Sequence, residues 1–529
     1  MDPSTEPRVF LVGAGPGDPG LLTLRAAEVM ARADLVLYDQ LVPRRMLDFA
    51  RPTAEVVCVR DLPGQHPDKY PHIYNRMIEA ATAGKVVVRL KGGDPLIFGR
   101  GGEEAECLRG AGIPYEIVPG VTAALATAAY LDIPLTHRMH ASALALVTGH
   151  ELPNKPGNRL QWDAIAKFPG TLAIYMGIAR LPILISELLR YGKPPDTPAA
   201  IIERASTGDM RTVYAPLKDL ESARRHAGIE SPGLILIGDA VTNRPEQSWF
   251  EKRPLFGQRV LVTRPRHQAG GMLRKIELLG GVPYLLPTVE IRDPVDTSAL
   301  DATLGKLRDG GWDWLVFTST NGVHAVVRRL KALGRDLRAF GRVKLAAIGP
   351  KTADALREYH LEPDVVPTAF WSEGLVEALA KEVAGKRVLL ARANRGRELL
   401  REELSKIATV EQVVAYEQVD AIDPNAEAFN PLRRGEIGYV TLTSSNVARA
   451  FLSACDETIR GRINRGEVKL VAISPETGKA VRDLGYAVAA EATEFTADGV
   501  IAAVVKLVAD EQERESRVAK SDEKSELIT

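Results

Sequence analysis

A run of β-branched residues, Val86 to Val88, leads into Arg89, Lys91 and a glycine pair, and the stretch continues to Glu104 as VVVRLKGGDPLIFGRGGEE. Such a run predicts a buried strand that stops where Gly92 and Gly93 permit a tight turn. Without a Cβ, the pair lets a ligand approach the backbone, and Asp94 sets a carboxylate at the mouth of the turn. Gly99 to Gly102 then precede Glu103 and Glu104, acids that suit the first turn of a helix. Strand, turn and helix together build a site at the carboxyl end of a strand, where open α/β sheets hold their ligands. A tight βα connection with no ligand has the same loop chemistry, so the stretch by itself leaves both readings open.

Composition narrows the classes. A chain of 529 residues implies two or more domains. Lys plus Arg and Asp plus Glu both number 68, which argues against a nucleic-acid coat or a polybasic membrane protein. Cys58, Cys107 and Cys455 are far apart, so they predict no disulfide framework and no zinc site. Acidic residues before Val9 do not read as a signal peptide, and no apolar run approaches a membrane span. The expectation is a cytoplasmic protein that uses neither nucleic acid nor membrane.

Near the start, Val9 to Val12 form a short strand leading into GAGPGDPGLLTLRAAEVMARAD. Gly15, Gly17 and Gly20 match GxGxxG, but Pro16 and Pro19 interrupt the loop, and no acidic residue closes a second strand in the usual place. A dinucleotide fold is therefore rejected. The helix is expected from near Leu21, with Thr23 on its wetter face.

GAGPGDPGLLTLRA, YDQLV, VVRLKGGDPLIFGRGGEE, VPGVTAA, PLTHR, TGH, YMG and IIERAS follow one another in the order seen in uroporphyrinogen III C-methyltransferases, which this half resembles over residues 8–250. The resemblance implies a tetrapyrrole methylase of two α/β domains with S-adenosylmethionine in the cleft between them. It implies cofactor contacts at Pro16, Gly92, Gly93, Asp94, Ile97, Thr122, Ala123, Met176 and Ala205. For Met176 alone, core packing is the commoner use of a methionine. Asp39, in YDQLV, is the candidate general base: a carboxylate at a strand end can take the proton leaving the macrocycle if partial burial raises its pKa. An Asp that begins a turn would look the same. The family's proton-donating lysine falls here on Asp61, beside Arg60, with Lys69 further on, so the acid stays unassigned. Arg89, Arg100 and Arg138 are candidates to bind the carboxylates of a tetrapyrrole. His137 and His140 lack a third ligand, and no metal is expected. A homodimer through the methyltransferase half is implied by the resemblance only.

Prolines, glycine and charges from Asn243 to Gln258 predict a linker. Beyond it lies a weak repeat. LVFTSTNGVHAV (315–326) echoes VTLTSSNVARAF (440–451), and KLAAIGPKTADALREYHLEP (344–363) echoes KLVAISPETGKAVRDLGYAV (469–488). Strands alternating with helices predict two doubly wound α/β units, whose capped helix starts could also bind carboxylates. The motif order resembles uroporphyrinogen III synthase across residues 258–508, with subdomains 258–290 plus 418–508 and 291–417. That resemblance implies Tyr416 as proton donor in closing hydroxymethylbilane, and Thr352 and Thr477 as substrate contacts, with Arg264 and Arg392 weaker. A half-buried strand aromatic would account for Tyr416 equally. Residues 509–529, charged and poor in large apolar side chains, read as a disordered tail. The expected function is a bifunctional enzyme that closes hydroxymethylbilane and methylates the product twice to precorrin-2, for sirohaem or cobalamin. Two rivals stand beside it: a methyltransferase acting on another tetrapyrrole, and a second half that is a non-catalytic binding module.

Overall fold

Short apolar runs after each turn signal become the strands of four five-stranded sheets. The computed structural model describes residues 6–64, 69–150, 160–307, 310–396, 398–423 and 426–526. The chain divides into two compact units: Met1–Val260 with Leu273–Pro283 and Val504–Thr529, and Leu261–Met272 with Tyr284–Ala503.

In the first unit, β1 (Val9–Gly13), β2 (Leu35–Tyr38), β3 (Glu55–Cys58), β4 (Val87–Lys91) and β5 (Tyr115–Val118) form a sheet ordered β3-β2-β4-β1-β5, with every pair parallel. Both faces of a parallel sheet are covered, which is why β1 and β4 are buried along their whole length. Helix α1 (Leu24–Arg32) starts three residues later than expected. Thr23 caps it by accepting from the Ala26 amide, because a threonine satisfies a free helix-end donor better than it fills a helix interior. Helices α2 (Gly101–Gly110) and α3 (Ala123–Leu131) follow β4 and β5. The second sheet is mixed. Strands β6 (Leu144–Thr148), β7 (Thr171–Tyr175), β8 (Pro198–Glu203), β9 (Arg211–Pro216) and β10 (Gly233–Ile237) lie in the order β6-β7-β10-β8-β9, with β10 antiparallel to both neighbours.

The stretch read as a linker is structured. Phe250 and Leu255 are buried, and the Tyr130 ring packs 5.2 Å from Trp249 and 4.7 Å from Phe250. Aromatic burial outweighs the turn composition there.

The latter half of the chain, from Arg259 onward, carries two more sheets. One, ordered β12-β11-β18-β19-β20, uses β11 (Arg259–Val262), β12 (Val282–Leu285), β18 (Tyr439–Leu442), β19 (Lys469–Ala472) and β20 (Ala490–Glu491). The other, ordered β13-β17-β16-β14-β15, uses β13 (Val289–Arg292), β14 (Trp314–Phe317), β15 (Lys344–Ala347), β16 (Arg387–Ala393) and β17 (Thr409–Asp420). The helices of this half of the chain include α4 (Arg266–Leu278), α5 (Thr320–Ala332), α6 (Pro350–Arg357), α7 (Ser445–Ala454) and α8 (Pro475–Asp483). The sequence repeat is a structural one: Ser319 caps α5 after β14, and Ser444 caps α7 after β18, each accepting an amide three residues on.

The tail expected to be disordered continues a helix, α9 (Ala497–Glu526). Val500, Ile501, Val504 and Val508 anchor its start, and beyond Ala509 the chain holds no glycine or proline and many strong helix formers. Residues 527–529 lie outside the described residues. No helix among the described residues is long and apolar enough to cross a membrane.

All three cysteines are free, and Cys455 is buried with Sγ 3.2 Å from the Phe451 carbonyl. Burial pushes its thiol up to about 12. Since the thiolate is the reactive form, iodoacetamide at pH 8 is expected to label Cys455 only after unfolding, as read by peptide mass spectrometry.

Candidate functional site

Five loops of the first unit converge at the carboxyl ends of its strands. Gly15 and Gly93 exchange backbone hydrogen bonds, Gly93 N–H to Gly15 O at 2.8 Å and the reverse at 3.2 Å. Both glycines have positive φ, 77° and 66°. A Cβ on Gly13 would lie 2.6 Å from the Gly93 carbonyl and from Gly120 Cα, and one on Gly120 would strike the Gly93 carbonyl. These three glycines let the loops close on one another. Gly17 backs onto the 204–207 loop, where its Cβ would meet Thr207 at 2.8 Å and the Ala205 carbonyl at 3.5 Å. Across the cluster, Tyr175 Oη lies 2.7 Å from Thr122 Oγ1 and accepts the Ala124 amide at 2.9 Å. The Phe98 ring packs 4.9 Å from that of Tyr175. Pro16, Gly92, Gly93, Asp94, Ile97, Thr122, Ala123, Met176 and Ala205 thus sit in these linked loops.

Asp94 does not hold its carboxylate free. Oδ1 accepts the Leu96 amide at 2.8 Å and Oδ2 the Gly120 amide at 3.1 Å, so it builds the turn. Met176 is not in the core; it is 51% exposed with φ 54°. Phe98, Arg100, Arg204 and Ser206 share that left-handed backbone, unusual without glycine, in the same loops. Strain of this kind collects where the surroundings fix a site.

Next to the glycine pair lies a buried charge array. Asp39 follows β2, and its amide donates to the Leu90 carbonyl at 3.1 Å. Arg89 donates to Asp39 Oδ1 and, through Nε at 2.9 Å, to Glu104 Oε1. Lys91 Nζ lies 2.8 Å from the same Glu104 oxygen and 3.9 Å from Asp39 Oδ2. Arg89, Lys91 and Glu104 are each about 3% exposed at the side chain, whereas Asp39 is 31% exposed. Burial pulls against the Arg89 charge, but Asp39 and Glu104 more than offset it and hold the guanidinium above its usual range. Burial, then Arg89, draws Lys91 below its usual range.

One expectation changes here. Arg89, expected to bind substrate carboxylates, is enclosed, with its donors on Asp39, Glu104 and the Leu37 and Leu90 carbonyls. Asp39 itself lies beside two cations, Arg89 and Lys91. Arg100 pairs with Glu103 and lies over the Tyr70 ring, and Arg138 is exposed in the turn between His137 and Ala141. Asp61 is exposed beside Arg60, and the Lys69 side chain lies outside the described residues. Sequence reasoning missed Lys91, Glu104 and Tyr175. A signal for the first two existed: Arg89 and Lys91, two apart in a buried strand, share one face and demand an acid there.

In the second unit Tyr416 is 3% exposed, its Oη 2.8 Å from Ser319 Oγ. A bulge causes this. The β16–β17 register shifts at Arg392/Ala393, so Ala415 and Tyr416 both turn inward where strict alternation would expose one of them. Thr352 and Thr477 are also buried, in the first turns of α6 and α8, and the Thr477 amide donates to Ser474 Oγ at 3.3 Å. Arg392 is buried and donates to Gln412. A recess of about 460 Å³ opens elsewhere, lined by the Arg395–Asp420 ion pair, Asn446 and Arg449, and it includes neither threonine nor Tyr416.

Known proteins bear on both halves. Residues 8–221 match the family described as tetrapyrrole (corrin/porphyrin) methylases, and residues 271–502 match uroporphyrinogen-III synthase HemD. The chain is 34% identical to the porphyrin biosynthesis protein HemD of Ruminiclostridium josui, over 92% of this chain and 95% of that protein. It is 44% identical to an S-adenosyl-L-methionine-dependent uroporphyrinogen III methyltransferase of Methanosarcina barkeri, over 44% of this chain and 92% of that one. A solved uroporphyrin-III C-methyl transferase from Thermus thermophilus, complexed with S-adenyl homocysteine, is 41% identical over 44% of this chain and 93% of its own, with a TM-score of 0.38.

Proposed function

Because the chain belongs to the tetrapyrrole methylase family through its first half and to the uroporphyrinogen-III synthase family through its second, we propose that it performs two consecutive steps of tetrapyrrole biosynthesis. The second half closes hydroxymethylbilane to uroporphyrinogen III, and the first half methylates that product at C2 and C7 to precorrin-2. The observation that carries the reading is the joining of these two families in one chain, since the ring that one closes is the ring the other alkylates.

The loops of the first half fit S-adenosylmethionine. The glycine backbones leave room beside Leu41 at Gly92 and beside Thr122 and Ala123 at Gly93, and half-exposed Met176 offers a polarisable thioether for an adenine or a sulfonium. When bound, the cofactor supplies an electrophilic methyl group. Asp39 takes the proton lost from the macrocycle once a pyrrole carbon has been alkylated. Arg89 fixes the Asp39 carboxylate through Oδ1, and Glu104 fixes Arg89. In the second half, Tyr416 donates the proton as the hydroxyl leaves, with Ser319 orienting its phenol. Holding the linear chain in a closed shape supplies most of the rate.

Burial of Tyr416 in the core favours a second reading, in which the latter half binds tetrapyrroles without closing them. Tyr416→Phe separates the two. Ring closure is expected to fall at least about tenfold, with an unfolding change of only ~1 kcal/mol for the lost hydrogen bond. Unchanged closure would assign Tyr416 to packing. The whole proposal is tested by giving the protein hydroxymethylbilane anaerobically. Type III uroporphyrinogen without S-adenosylmethionine, and precorrin-2 with it, are the expected products; methylation of supplied uroporphyrinogen III alone would leave the second half as a binding module.

A further inference from the structure

We infer that Arg274 is a positioning residue for methyl transfer: it fixes the loop of Asp18, and through it the contacts that hold S-adenosylmethionine. The inference rests on the cofactor reading above. Arg274 lies in the span that matches the synthase family, yet Leu273–Pro283 packs as part of the first unit. Its Nη1 donates to Asp18 Oδ1 at 2.9 Å, in the GPGDPG loop two residues after Pro16. The same oxygen accepts the Gly20 amide at 2.6 Å, and Oδ2 accepts the Tyr130 hydroxyl at 2.5 Å. The Asp18 amide in turn donates to Ser206 Oγ at 3.3 Å. One residue therefore ties together three groups of cofactor contacts. Pro16 is in its own loop, Thr122 and Ala123 open α3, the helix that carries Tyr130, and Ala205 precedes Ser206.

Asp18 is only 15% exposed at the side chain, so its charge calls for partners in place of water. Burial pulls against ionisation, but the bonds from Tyr130, Gly20 and Arg274 together hold the carboxyl below its usual range. Of those partners, Arg274 is the one that carries a charge. Gly20 makes room for it, since a Cβ there would lie 2.4 Å from Arg274 Nη2. The next turn of α4 braces a second loop. Glu277 Oε1 accepts Arg45 Nε at 3.0 Å, in the segment that follows Asp39, and Glu277 Oε2 lies 3.7 Å from Arg274. Beyond the helix, the backbone abuts a third loop: a Cβ on Gly208 would lie 2.4 Å from the Gly280 carbonyl. All three contacts fall on loops next to the cofactor contacts or Asp39. Plain packing would hold the fold in the same way, but it would leave cofactor affinity alone.

The test is a double-mutant cycle in the full chain, with Arg274→Gln, Asp18→Asn and the pair together. S-adenosylhomocysteine affinity, by calorimetry, and the kinetic constants of methyl transfer are the readouts. Arg274→Gln should raise the S-adenosylhomocysteine Kd and the S-adenosylmethionine KM about tenfold, as expected for loss of a charge-assisted bond. Both kcat and KM for uroporphyrinogen III should stay within about twofold. The pair should bind no more weakly than Asp18→Asn alone, and Arg274→Lys, which keeps the charge, should recover part of the affinity. An earlier unfolding midpoint with unchanged Kd and KM in Arg274→Gln would make Arg274 a packing residue and overturn the inference. Fully additive losses in the pair would overturn it too. Should Arg274→Gln fail to fold, Asp18→Asn decides, and wild-type Kd and KM in it sink the inference. If the wild type binds S-adenosylhomocysteine in an Arg274-dependent way but methylates no uroporphyrinogen III, the positioning role stands and the substrate reading falls. If it binds none, the cofactor reading and this role fall together.

Discussion

Replacing Asp39 with asparagine should lower methyl transfer to uroporphyrinogen III by about 10²–10⁴-fold, the range over which a positioned general base acts. Asparagine keeps the shape and an acceptor oxygen for Arg89, so the loops around Gly93 should persist. What it lacks is a site for the departing proton. S-adenosylmethionine affinity, measured by calorimetry, should therefore stay within a few-fold of wild type while turnover collapses. Asp39 is 31% exposed at the side chain, and its loss leaves Arg89 still bonded to Glu104, so the stability change should be small beside the kinetic one. An Asp39→Gly enzyme should recover part of its rate in added formate, since a small carboxylate can enter the space vacated. A loss of less than tenfold in Asp39→Asn would place the base elsewhere.

The array around Asp39 shows where sequence reading stops. The strand ending at Lys91 and the helix starting at Gly101 were legible, because an apolar run and a glycine cluster each have one good structural use. Glu103 and Glu104 were both legible as first-turn acids. Which of them turns inward was not, since neighbours on a helix point about 100° apart and packing alone chooses the face. Glu104 went inside, and Glu103 stayed at the surface with Arg100. Tyr416 illustrates a different limit. A two-residue period places it opposite Ala415, and only the bulge opposite Arg392 and Ala393 brings both inward. Composition misled twice: the apparent linker carried enough aromatic surface to bury, and the charged tail had the propensities of a helix.

The largest stability effect is expected at Glu104. Its Oε1 accepts from both Arg89 and Lys91, two cations shut away from water, while Oε2 is buried with no hydrogen-bond partner among the described residues. Glu104→Gln removes the shared anion and leaves Asp39, at the edge of the cluster, to balance both. Breaking a buried pair on one side costs about 3–5 kcal/mol, which should appear in calorimetry as an earlier unfolding transition of the first unit. The double variant Lys91→Met with Glu104→Gln should recover much of that loss, because it removes a cation together with the anion that balanced it. Stability and catalysis then part company. The double variant regains the fold, but Arg89 loses a charged partner and holds Asp39 less firmly, so methyl transfer should stay depressed. Recovery of both together would mean that the array serves only to fill the interior. Recovery of neither would mean that Lys91 has a role of its own beside Asp39, 3.9 Å away.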